Sequence, residues 1–184
     1  MHFVLLYASI EGQTRKIVRH IEDHLKERHH STIVMDTTDD EAELDLTDVD
    51  GVVACAPVHA GAFPNSLVRT LSREHTALMA FPGAFVSVSL AVASKDKSEV
   101  DEIEKIVHDL SETTGWWPVM KHHAAGALKY LEYDYFKRWI MKRIAKKSAG
   151  PINTSQDYEF TDWDALDRFI DQFCHDLPML KDKI

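Results

Sequence analysis

Phe3-Val4-Leu5-Leu6-Tyr7-Ala8-Ser9-Ile10-Glu11-Gly12-Gln13-Thr14 decides how the rest of the chain folds. Six residues without a charge read as a buried strand, and a helical pattern with Ile17, Val18, Ile21 and Leu25 on one face starts immediately afterwards. Between them lies a turn carrying hydroxyls and a single Gly. The first N–H groups of a helix have no acceptor within it, and they stand at the positive end of its dipole. Such a strand-to-helix junction is a ready site for a phosphate, belonging to a cofactor or a substrate.

Working outward, strands and helices alternate. Thr32-Ile33-Val34-Met35 reads as a second strand, followed by an acidic connector from Asp36 to Asp50 and a third strand, Gly51-Val52-Val53-Ala54-Cys55. Pro64 opens a helix with Leu67, Val68 and Leu71 inward, and Ala84-Phe85-Val86-Ser87-Val88 is a fourth strand. A long helix then places Val100, Ile103, Ile106, Val107 and Leu110 on one face and stops at Gly115. Gly126-Ala127-Leu128-Lys129-Tyr130 reads as strand five, and Tyr158-Glu159-Phe160 resumes pairing before a last helix. That helix carries Trp163, Leu166, Phe169, Ile170 and Phe173, with Thr161 or Asp162 as its N-cap. The alternation predicts an α/β, doubly wound five-stranded parallel sheet in the order 2-1-3-4-5, covered on both faces.

The 184 residues suit a single domain, 1–184. A formal charge of −9 with 45% apolar residues argues against nucleic acid as a partner. Cys55 and Cys174 lie far apart in apolar surroundings, without C-x-x-C, and read as buried free thiols. The N-terminus runs directly into the first strand, and no apolar stretch is long enough to span a bilayer, so a cytoplasmic location is expected. His29-His30 and His122-His123 lack metal-ligand spacing, so no metal is expected. Residue order does not set the oligomeric state, and a homo-oligomer stays open.

In doubly wound sheets, ligands bind beyond the carboxyl ends of the strands. Three loops there are suited to binding: the opening turn, Ala56-Pro57-Val58-His59-Ala60-Gly61, and Ser87-Val88-Ser89-Leu90-Ala91. Small residues in the last two let a flat ligand come close to backbone. The opening turn lacks G-x-x-x-x-G-K-[ST], and no G-x-G-x-x-G supports a dinucleotide fold. Ala56-Pro57 stands where a phospho-accepting regulator would need a carboxylate.

Between Gly126 and Phe160 about thirty residues interrupt the last strand-to-helix connection, with a basic amphipathic helical insertion at about 131–157. Phe136, Ile140 and Ile144 recur every fourth position beside Trp139, and Arg138, Lys142 and Lys146 form a stripe nearly opposite. From Lys129 to Ser148 seven Lys/Arg and two acids give +5, which leaves −14 for the rest of a chain whose total is −9. This pattern suits an anionic membrane surface or a substrate bearing carboxylates, and equally a helix packed on its own domain with a solvated basic face.

Ser9, Gly12 and Thr14 match the [ST]-x-T-G-x-T loop of the flavodoxin family, and the chain resembles that family, with Glu11 in place of the usual Thr. Gly126 to Tyr130, Tyr133 to Lys142, Tyr158 to Trp163, Gly12-Gln13-Thr14-Arg15 and Ser87-Val88-Ser89-Leu90 resemble, more narrowly, the bacterial menaquinone-dependent protoporphyrinogen IX dehydrogenases. The resemblance implies FMN as cofactor. Ser9, Glu11, Gly12, Gln13 and Thr14 would hold its phosphate, and Ala56, Pro57, Val58, His59, Ala60, Gly61, Ser87, Val88, Ser89, Leu90 and Ala91 its ring system. It implies oxidation of protoporphyrinogen IX to protoporphyrin IX in haem biosynthesis, with electrons passed to a menaquinone or ubiquinone. It further implies a peripheral position on the cytoplasmic face of the inner membrane, with Lys129, Tyr135, Phe136, Arg138, Trp139, Ile140 and Lys142 meeting substrate or lipid. His59 or solvent would take the proton. The alternatives are a flavodoxin-like electron carrier, a flavin-free membrane-binding module and an NAD(P)H:quinone reductase.

Overall fold

The computed structural model describes residues 1–39, 41–94, 97–128 and 158–182. Five strands, β1 (His2–Tyr7), β2 (Ser31–Asp36), β3 (Gly51–Pro57), β4 (Gly83–Ser89) and β5 (Met120–Ala125), form one parallel sheet in the order β2-β1-β3-β4-β5. The expected order is the observed one. Helices α1 (Gln13–Glu27), α2 (Asn65–Leu78), α3 (Lys97–Thr114) and α4 (Trp163–Lys181) supply the crossovers and the final cover. All four begin at the end of the sheet where the strands finish, so their first turns surround that end.

The three central strands are buried on both faces, which is why they read as continuous apolar runs rather than alternating ones. Phe3, Leu5, Val53 and Val86 face α1 and α4, where Ile17, Ile21, Leu166, Ile170 and Phe173 meet them. Val4, Leu6, Ala54 and Phe85 face α2 and α3, against Leu67, Leu71, Ile103, Val107 and Trp116. Phe63, Phe85 and Trp116 pack edge to face in series, with centroids 5.1 and 6.2 Å apart. Both cysteines are buried and free, and burial drives the Cys55 thiol's pKa far up and that of Cys174 to about 11. Helix α4 starts at Asp162, whose carboxylate accepts from the Ala165 N–H at 2.9 Å, which settles the choice between Thr161 and Asp162.

Strand five is a correction. It lies at Met120–Ala125, ahead of the expected Gly126 to Tyr130. As the edge of the sheet it needs no apolar run, and its polar residues are tethered instead. His123 lies 2.6 Å from the Ser87 hydroxyl and 2.8 Å from a Glu104 oxygen, and the His122 ring stacks on Phe169 at 5.1 Å. After Gly126 the chain leaves the sheet as β6 (Ala127–Leu128), paired antiparallel with β7 (Tyr158–Glu159). The expected return of pairing at Tyr158 is therefore present, on a separate two-stranded ribbon. The amphipathic stretch 131–157, with Lys129, Tyr135, Phe136, Arg138, Trp139, Ile140 and Lys142, lies outside the described residues.

Candidate functional site

The opening turn is built around Ser9. Its hydroxyl oxygen accepts from the Gly12 N–H at 3.1 Å and the Arg15 N–H at 3.4 Å. Gly12 takes φ +91°, a conformation that costs a side-chain-bearing residue about 1–2 kcal/mol, and so swings the chain directly into α1. Gly12 at the N-cap brings no side chain of its own to the first turn, and within that turn Ser9 reaches only the Arg15 amide. Among the described residues the amides of Gln13 and Thr14 meet no acceptor, and the Ser9 O–H proton remains available to donate.

The second loop is shaped by a tight turn. His59 and Ala62 exchange backbone hydrogen bonds of 2.9 and 3.1 Å, with Ala60 and Gly61 both at positive φ, +50° and +80°. This hairpin sets His59 at the rim. The Val58 N–H donates to the Val88 carbonyl at 2.8 Å and the Gly126 N–H to the Ser89 carbonyl at 3.2 Å, so the strand-end loops are laced to one another.

Together they enclose a cavity of about 240 Å³. Of the residues expected from the sequence, Glu11, Gln13, Thr14, Pro57, Val58, His59, Val88, Ser89, Leu90 and Ala91 line it. Ser9 and Gly12 build the turn from behind. Ala56 and Ser87 are fully buried within the sheet, and Ala60 and Gly61 are exposed at the hairpin tip. Gly61 faces a separate cavity of about 210 Å³ between α2 and α3. Sequence reasoning did not include Ile10, Glu99, Glu102, Gly126 and Ala127, which complete the wall. Glu99 and Glu102 lie three apart near the start of the helix that follows the third loop. That position was the available signal, because such a helix begins at the site.

The cavity has two chemically distinct ends. At the α1 end are two unused amides, a hydroxyl and a helix dipole, which together suit a phosphate. At the other are Pro57, Val58, Val88, Leu90 and Ala91, which suit a flat apolar ring. Among the described residues that line the cavity there is no Phe, Tyr or Trp. Among the described lining residues the charged ones, Glu11, Glu99 and Glu102, are all acids. One oxygen of Glu99 is buried without a hydrogen-bond partner. Among the described residues no group of three His, Cys, Asp or Glu is placed to hold a metal, and no helix is long and apolar enough to cross a membrane.

Comparison with known proteins agrees with this fold. The chain is 29% identical over 183 residues to the protoporphyrinogen IX dehydrogenase [quinone] of Escherichia coli K12, covering 98% of this chain and all of that one. A Leishmania major protein of the same description is 29% identical over 174 residues, covering 92% of this chain and 73% of its own. Among solved structures, a Fusobacterium nucleatum flavodoxin bound to flavin mononucleotide superposes with a TM-score of 0.51 at 12% identity. That match covers all of this chain and 98% of the flavodoxin, and it speaks for the fold. The flavodoxin domain family model matches residues 4–155, most of the chain's length. With the parallel 2-1-3-4-5 sheet and a family model matched over most of its length, this chain belongs to the flavodoxin domain family.

Proposed function

We propose that this chain is an FMN-dependent protoporphyrinogen IX dehydrogenase that passes the electrons to a membrane quinone. The observation that carries the reading is the two-ended cavity, phosphate-fitted beside an apolar ring site with no Phe, Tyr or Trp among its described lining, in a chain that aligns with such dehydrogenases along almost its whole length. When bound, FMN supplies the redox chemistry, accepting hydride from the substrate and returning electrons to the acceptor.

The chain's own residues provide placement and electrostatics. The Gln13 and Thr14 amides and the Ser9 hydroxyl hold the phosphate. Pro57, Val58, His59, Ser89, Leu90 and Ala91 flank the ring. His59 stands at the rim within the same wall and is the residue proposed to receive a substrate proton. Glu99 and Glu102, in the described lining contributed by α3, disfavour a polyanionic dinucleotide and leave an uncharged quinone unpenalised, which supports the quinone over NAD(P)H as redox partner. The substrate propionates then belong outside this wall, with Lys129 and Arg138 as their proposed anchors. Tyr135, Phe136, Trp139, Ile140 and Lys142 are proposed to meet lipid on the cytoplasmic face of the inner membrane.

An anaerobic assay of the FMN-loaded protein with protoporphyrinogen IX and a menaquinone or ubiquinone analogue tests this. Appearance of protoporphyrin with quinol formation is expected. Flavin binding with no porphyrin oxidation would leave an electron carrier, and rapid NAD(P)H oxidation would instead identify an NAD(P)H:quinone reductase.

A further inference from the structure

Gln13 carries more contacts than a phosphate-binding residue needs. Its side-chain nitrogen has two hydrogens, and both are used: one bonds Glu159 Oε1 at 3.1 Å and the other Thr161 Oγ1 at 2.9 Å. The side chain therefore has no N–H left for a ligand, and any donation from Gln13 to a phosphate must come from its backbone. Glu159 uses its second oxygen for Lys16, at 2.6 Å, so a single carboxylate on β7 spans positions three apart on the first turn of α1. Lys16 in turn lies over the Trp163 ring, 5.2 Å from its centroid. Thr161 passes the connection on by donating to the Ala125 carbonyl at 2.8 Å, at the end of β5. Next to it, the Phe160 N–H donates to the Gly126 carbonyl at 3.2 Å, and Gly126 lines the cavity.

We propose that Glu159 and Thr161 are positioning residues for the phosphate-binding turn, holding the first turn of α1 through the Gln13 side chain and joining the β6–β7 ribbon to that turn as one unit. The effect is preorganisation. A helix N-terminus left to fray would have to be ordered by the ligand, whereas this one is braced from outside the cavity by a carboxylate that the helix dipole itself favours. Linkage requires the reverse as well: a phosphate held on the Gln13 and Thr14 amides must stiffen the ribbon. This inference rests on the FMN reading above for the identity of the phosphate. Its structural half, the bracing of the ribbon by Gln13, stands without it.

Titrations of the full-length protein with FMN and with riboflavin, which lacks the phosphate, test the proposal, together with hydrogen exchange over residues 126–128 and 158–161. Glu159→Ala should weaken FMN about threefold to tenfold, the range of one or two hydrogen bonds, while changing riboflavin less than about twofold. Gln13→Ala should act the same way, and the double variant should lose less than the product of the two single losses. Glu159→Gln, which keeps an acceptor for Gln13, should recover part of the loss. Gln13→Ala should speed exchange at 158–161 without any ligand. A fall in FMN and riboflavin affinity by the same factor would show a merely structural role and overturn the proposal, as would losses that multiply in the double variant. Should the protein bind neither flavin, the FMN reading falls, and the ligand-free exchange decides alone: unchanged rates at 158–161 in Gln13→Ala would sink the bracing itself.

Discussion

The two faces of the sheet are held down by different physics. On the α2/α3 face the core is a continuous aromatic and aliphatic packing, with Phe63, Phe85 and Trp116 in series and Leu67, Leu71, Leu78, Ile103 and Val107 around them. On the α1/α4 face an apolar floor is roofed by a polar seam that runs the length of α1. Lys16, His20, His24 and Arg28 meet Glu159, Asp167 and Asp171 in turn. His24 is 6% exposed and lies between two carboxylates, 3.2 Å from Asp167 and 2.9 Å from Asp171. The apolar packing supplies stability without a titrating group of its own. The polar face is the one continuous with the turn after β1, through Lys16 and Glu159.

The largest effect expected from breaking this contrast is on the apolar face. Trp116→Ala should destabilise by about 3–5 kcal/mol in urea unfolding, with little change in flavin affinity. Trp116→Phe should cost far less, because the indole N–H is buried without a partner and its removal relieves an unmade hydrogen bond. Next comes Gly83→Ala. A Cβ there would sit 2.7 Å from Trp116 Cζ2, so a loss of about 1–3 kcal/mol is expected, and it should shrink in a Trp116→Leu background. An additive double variant would contradict that contact.

Two smaller effects sharpen the polar side. Asp162→Ala removes the only side-chain cap identified on α4 and should cost about 1 kcal/mol, read from thermal unfolding. Smaller still at neutral pH is the acid response. Burial opposes ionisation of Asp171, yet hydrogen bonds from His24 and Arg28 and their charges hold its carboxyl below the ordinary 3.8. At Glu159, burial is likewise outweighed by hydrogen bonds from Lys16 and Gln13 and by the Lys16 charge, and its carboxyl lies below 4.5. Folded-state values below unfolded ones mean that this stability is present above the unfolded values and lost as pH falls through the folded ones. Unfolding measured from pH 7 downward should therefore show a loss below about pH 4.5, and Asp171→Asn should flatten it. An unaltered acid limb in Asp171→Asn would remove the polar seam from the account.

Much of this was legible in residue order. Buried on both faces, β1, β3 and β4 leave uninterrupted apolar runs, and the Ser9 to Thr14 turn announces itself by Gly12 and its hydroxyls. The edge strand β5 was not legible. Its sequence, Met120-Lys121-His122-His123-Ala124-Ala125, is polar because hydrogen bonds to Ser87 and Glu104 and stacking on Phe169 do what apolar burial does elsewhere. Glu159 and Thr161 were missed for a related reason. Each owes its place to which helix or ribbon comes back beside which strand, a fact of topology that no local spacing encodes. Gln13 was found for its backbone, while its side-chain role depends on residues 146 and 148 positions away in sequence.

The most direct measurement is a crystal structure of the protein grown with FMN. The account predicts the phosphate on the Gln13 and Thr14 amides and the Ser9 hydroxyl, with the ring between the Pro57–His59 and Ser89–Ala91 loops. Phosphate density anywhere else, with those two amides left to water, would contradict it.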